Sequence, residues 1–155
     1  MLIDVGSVLG AGARWGPPHR RDILPAHECV DTDSVAYRAV LAVTCRGVRE
    51  VSGLEAAAAE PGWIAIRCHA SAMARWLAEA IVAENVAACT EERTLFVPCS
   101  EQYTLEGEVK NVISAVAKTT HSWKEHLPKE VKTSLARQIW LGEVVRRFRR
   151  SGAGR

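Results

Sequence analysis

The sequence predicts an α+β domain, with an antiparallel sheet carrying helices on one face. Three observations point there: a short apolar run, WIAIRC, bounded by Pro61-Gly62; an amphipathic stretch of helical period directly after it; and a second β-type run, TLFVP, closed by Pro98. The chain has 155 residues, of which 48% are hydrophobic and 25% charged, a globular composition and not a disordered one. That length suits one domain, with or without an appended segment. No apolar run reaches the ~18 residues that a membrane-spanning helix needs. The N-terminal stretch carries Asp4 and lacks a basic start, so it reads as no signal peptide and places the protein in the cytoplasm.

In chain order, residues 1–35 read as an irregular arm, because Gly6, Gly10, Gly12, Gly16, Pro17, Pro18 and Pro25 interrupt every periodic window. A single pinned segment is expected within it. An α+β domain follows over residues 36–128. Val40, Leu41, Val43, Cys45, Val48 and Val51 form a β-branched stretch read as a strand, and LEAAAAE at residues 54–60 as an Ala-rich helical turn. From Ser71 to Glu84, residues Ala74, Leu77, Ala78, Ile81 and Val82 recur at i, i+3, i+4, i+7 and i+8, one face of an α-helix. TLFVP is the next strand, and VISAVAKTT from Val112 to Thr120, apolar almost throughout, fits a central one. Residues from His121 onward are helix-compatible, and 129–155 form a basic helix or tail. The order from Trp63 is that of a ferredoxin-like βαββα(β) unit whose last strand is not visible in the sequence.

Charge is uneven. Residues 129–155 hold eight basic and two acidic side chains, a net of +6 that leaves −4 for the remainder, since the whole chain carries +2. The five cysteines (Cys29, Cys45, Cys68, Cys89 and Cys99) are widely spaced with no CxxC pair, which excludes a zinc knuckle and points to reduced, mostly buried thiols. No Gly-x-Gly-x-x-Gly follows a strand, and there is no Walker loop and no Gly-x-Ser-x-Gly elbow. No acid–base pair has an obvious partner, and the chain reads as a binding or regulatory protein, not an enzyme.

Over about residues 64–120 the chain resembles the CutA divalent-cation-tolerance family. IRCHASAMARWLAEAIVAENVAAC carries Cys68, Ala74, Ile81, Val82, Glu84, Ala87, Ala88 and Cys89 in the order of that family's strand, Ala-rich helix and Ala-Ala-Cys segment. YTLEGEV, with Tyr103 and Gly107, is similar to its Tyr-x-Trp-x-Gly hairpin, with Leu105 in place of the tryptophan. VAKTT, with Lys118 and Thr119, resembles its Lys-Thr strand end. The family's His-Pro-Tyr-Glu segment has no counterpart in HSWKEHLPKEVKTSL. The resemblance implies a PII-like, ferredoxin-like fold, a homotrimer with edge strands paired between subunits, and a role in copper or other divalent-cation tolerance.

The implied metal ligands are Cys68, next to His69, and the histidines His121 and His126. Soft thiolate and imidazole are the donors copper prefers. Against this stand the ordinary roles of a packed strand thiol and of solvated helix histidines. Residues five apart do not share a face of an α-helix, so His121 and His126 are not expected to form a preformed pair. An alternative places nucleic acid on Arg146, Arg147, Arg149 and Arg150, which surround Phe148, because phosphates attract such clusters and an aromatic can stack a base. The plain counterpart is a solvated helix end whose cations complement the macrodipole.

Overall fold

The computed structural model describes residues 23–27, 29–127 and 129–152, with the side chains of 143–145 and 147–152 outside that description. The N-terminal Gly/Pro-rich stretch up to residue 22 therefore lies outside the described residues. Of the arm, the part that is described is pinned as expected. The Leu24 amide donates to the Asn85 carbonyl at 2.8 Å, and the Ala87 amide to the Leu24 carbonyl at 2.9 Å, a parallel bridge beside Val86.

The elements are α1 (Val35–Ser52), β1 (Glu55–Ala58), β2 (Trp63–Arg67), α2 (Ser71–Ala83), β3 (Cys89–Glu91), β4 (Thr94–Pro98), α3 (Lys110–His121) and α4 (Lys129–Gly152). A π-helical turn stands at each end of α3, Leu105–Val109 before it and Ser122–His126 after it. The four strands form one antiparallel sheet in the order β1-β2-β4-β3. The α+β class and its antiparallel sheet stand as the sequence predicts, as do the β2, α2 and β4 assignments.

Three readings need correction. Residues 35–52 are a helix, not a strand: the Ser34 hydroxyl caps it by accepting from the Tyr37 amide at 3.0 Å, and Gly53 ends it in the left-handed region at φ 71°. Its buried residues Tyr37, Val40, Thr44, Cys45 and Val48 follow a helical stripe in spite of their β-branching. The Ala-rich turn is the strand β1, because Ala56 pairs opposite Ile66 and faces the core while its neighbours are exposed. Residues 112–120 are not a central strand but most of α3, which buries Val112, Ala115, Val116 and Thr119 at i, i+3, i+4 and i+7. The last strand that the sequence reading leaves unplaced after the second helix is not found there among the described residues; β1, upstream of β2, and β3, just before β4, complete the sheet instead.

One sheet face carries the core. Ile64, Ile66, Leu95 and Val97, all 0% exposed, point at Leu77, Ile81, Val48 and Val112 from the helices. α1 lies so close to α3 that a Cβ on Gly47 would collide with the Ile113 side chain. On the other face Trp63, Ala65, Phe96 and Cys89 line up across β2, β4 and β3 and are half-buried.

Candidate metal centre

The second π-turn sets the positions of two residues that the sequence singled out. Its closing hydrogen bond runs from the Leu127 amide to the Ser122 carbonyl at 3.2 Å, the i to i+5 spacing of a π-turn. Two tertiary anchors accompany it. Lys124 Nζ donates to the carbonyl of Ser52 at the end of α1, at 2.8 Å. Trp123 packs on Trp76 of α2 with ring centroids 5.7 Å apart, and Lys132 of α4 lies over the Trp123 ring at 5.4 Å. The segment then leaves the helix at Leu127, extended at φ −86° and ψ 120°, as a residue before proline prefers.

This geometry overturns the expectation that residues five apart diverge. An α-helix rotates i+5 off the face, whereas a turn wound with i to i+5 bonds brings it back over i. His121 and His126 are both exposed, and their rings meet edge to face at 79° with centroids 5.2 Å apart. Two imidazoles so placed can offer nitrogen to one cation, the donor type that suits zinc, copper and nickel.

Cys68 stands apart from them. It follows β2, is 2% exposed, and has its amide held by the Arg93 carbonyl at 2.8 Å. Its thiol faces the Ile66 carbonyl at 4.0 Å, and burial pushes it up to about 11, so it stays protonated at neutral pH. Among the described residues no group of three or more His, Cys, Asp or Glu side chains converges as a metal site, so Cys68 does not join the histidine pair. Cys45 and Cys99 are buried as well, and burial pushes Cys99 up to about 12.

The other stretches of the resemblance lie in unexpected places. Tyr103 is buried in a loop and its hydroxyl donates to the Pro25 carbonyl at 3.0 Å, which ties the arm to the domain. Leu105 and Gly107 belong to the first π-turn, not to a hairpin. Lys118 sits on α3 and pairs with Glu84 at 2.9 Å across a cleft of about 530 Å³ that Asn111 and Ser114 also line. Of the arginine cluster, Arg146 is exposed and its Nε donates to the Gly142 carbonyl at 3.4 Å. The side chains of Arg147, Arg149 and Arg150 lie outside the described residues.

No family model matches the chain, and no curated protein matches it. Among the described residues no helix is long and apolar enough to cross a membrane.

Proposed function

We propose that this protein binds a divalent transition-metal cation through His121 and His126 and acts as a small non-catalytic binding or regulatory protein in cation homeostasis. The observation that carries the reading is the exposed imidazole pair held 5.2 Å apart by the second π-turn. A protonated thiol at Cys68 disfavours cuprous ion, which takes thiolate, and leaves cupric, zinc or nickel ion as the cations an imidazole pair prefers. The fold reading that accompanies it is a ferredoxin-like sheet in which the edge strand comes from upstream as β1, with α2 and α3 following β2 and β4. In the homotrimer that the CutA resemblance implies, the exposed β1 and β3 edges would pair between copies and remove unpaired backbone groups. Two protein nitrogens leave coordination positions for water or for a second copy.

Competition titration of the full chain with cupric or zinc ion against a chromophoric chelator tests this. His121→Ala and His126→Ala should each weaken binding by about tenfold or more, the scale on which even outer ligand supports act, while Cys68→Ser leaves it unchanged. Equal affinities in the wild type and both histidine variants would overturn the assignment.

A further inference from the structure

The helix α4 has two faces. On one, Leu135, Ile139 and Gly142 line a cleft of about 430 Å³ with Ala72 and Trp76 of α2. One residue on from Ile139 the helix has turned by about 100°, and Trp140 and Leu141 stand 61% and 49% exposed. With Arg137, also exposed, they occupy i, i+3 and i+4, a single stripe on the side away from α2. The other large apolar side chains exposed among the described residues are Val35, Val51, Leu105 and Val131, and none of them adjoins another in sequence. Single apolar residues at a surface are ordinary, whereas a tryptophan beside a leucine asks for an occupant.

Charge narrows the choice. The described side chains of α4 include Lys129, Lys132, Arg137 and Arg146 against Glu130, four basic and one acidic for a net of +3. Laying this stripe on that of a second copy would bring like charges together, which opposes association. A nucleic acid would take the cations and stack on Trp140, but it leaves Leu141 without an apolar seat. Residues 129–155 as a whole carry +6 and residues 1–128 carry −4. An anionic surface therefore attracts α4 and repels the body, which sets the direction of approach.

Size decides the rest. Trp140 and Leu141 together expose roughly 200 Å², whereas a stable protein complex takes about 800 Å² from each partner. A lipid surface sets no such threshold. A helix lying in the interface seats its apolar side chains at the boundary of headgroup and acyl chain while its cations stay with the lipid phosphates, and tryptophan favours that depth. We infer that α4 docks this protein on an anionic membrane surface through Trp140 and Leu141, with Arg137 beside them on the lipid headgroups.

Co-sedimentation of the full chain with vesicles tests this, with a chelator present so that no cation links His121 and His126 to phosphate. Vesicles of phosphatidylcholine and phosphatidylserine at about two to one should bind the wild type at least about tenfold more tightly than phosphatidylcholine alone, and added salt should weaken that binding. Trp140→Ser/Leu141→Ser should lower the affinity for the mixed vesicles about tenfold, and Arg137→Glu should do likewise. All three positions are exposed, so the fold should persist. Where the double variant melts early, Leu141→Gln alone takes the same reading. Tryptophan emission of the wild type should shift to the blue on the mixed vesicles, a shift that Trp140→Phe should lose. Equal affinities in the wild type and the stripe variants would overturn the proposal, as would no binding to either vesicle. An oligonucleotide bound through Trp140 and Leu141 while vesicles stay unbound would give the helix to nucleic acid and overturn it as well. So would a dimer mass in sedimentation that Trp140→Ser/Leu141→Ser abolishes, which would give the stripe to a second copy.

Discussion

The two π-turns that bracket α3 share a hydrogen-bond pattern and little else. The first is consumed by structure. Its Val109 amide closes on the Thr104 carbonyl at 3.2 Å, Val109 itself is 2% exposed, and Glu108 reaches back to accept from the Thr104 amide at 2.8 Å and hydroxyl at 3.0 Å. The second buries none of its own residues, is tied down by Lys124 and Trp123, and aims two histidines at solvent. A π-turn is rare, and where its last residue is buried and its carboxylate turns back onto the backbone, folding accounts for it. Where the turn leaves an exposed, geometrically defined pair, function is the better account.

The largest effect that separates the turns is metal-dependent stability. A cation at a hundred times its Kd should stabilise the wild type by about 2.7 kcal/mol, seen as a rise in Tm of roughly 5–10 °C for a domain of this size. His126→Ala should lose about half of that rise or more, in keeping with an affinity weakened tenfold or more, and keep the metal-free Tm. A metal-induced rise that survives undiminished in His126→Ala would place the cation elsewhere.

Next comes Val109→Ala in the first turn, which should cost about 2 kcal/mol by denaturant titration through lost burial and an unfilled cavity. Trp123 aside, substitutions at exposed positions of the second turn, such as Glu125→Ala, should fall within about 0.5 kcal/mol. Comparable losses in both turns would erase the distinction.

The smallest effect concerns Glu108. The Thr104 amide, followed by a backbone bond of its own and the Thr104 hydroxyl, holds its carboxyl below the ordinary 4.5. A depressed folded value means that its contribution is present above pH 4.5 and is lost as pH falls through the lower folded value. Between pH 6 and pH 3 the Tm should therefore fall less steeply in Glu108→Gln than in the wild type. Parallel curves would show that the carboxylate adds nothing beyond a neutral acceptor.

The sequence was legible where period and composition agreed. In α2, Ala74, Leu77, Ala78 and Ile81 keep a helical stripe and are good helix formers, so both signals name one element. In α1 and α3 the same stripe is written in Val40, Val48, Val112 and Val116, and β-branching speaks for strand although the period speaks for helix. Period decides, because it records which side meets the core. β1 shows the reverse, since Glu55-Ala-Ala-Ala is helical by propensity and becomes a strand only through pairing with β2, a contact that no local window contains. His121 and His126 were visible as candidates but not as a pair. Their alignment depends on Lys124 reaching the end of α1 and Trp123 reaching α2, distant partners without a local signature.

The strand order β1-β2-β4-β3 also bears on how the chain assembles. β1 with β2 and β3 with β4 are local hairpins, the second closed by a turn in which Glu92 takes φ 51°. Among the described strands, the pairing that spans a long loop is β2 with β4, from Trp63↔Pro98 to Arg67↔Thr94, across all of α2. Hairpins form in about 1–10 μs, whereas a distant pairing waits on loop closure. Topology therefore predicts that the closure of β2 on β4 beneath α2 limits folding, a prediction that slower folding on lengthening the β2–α2 loop would bear out and an unchanged rate would overturn.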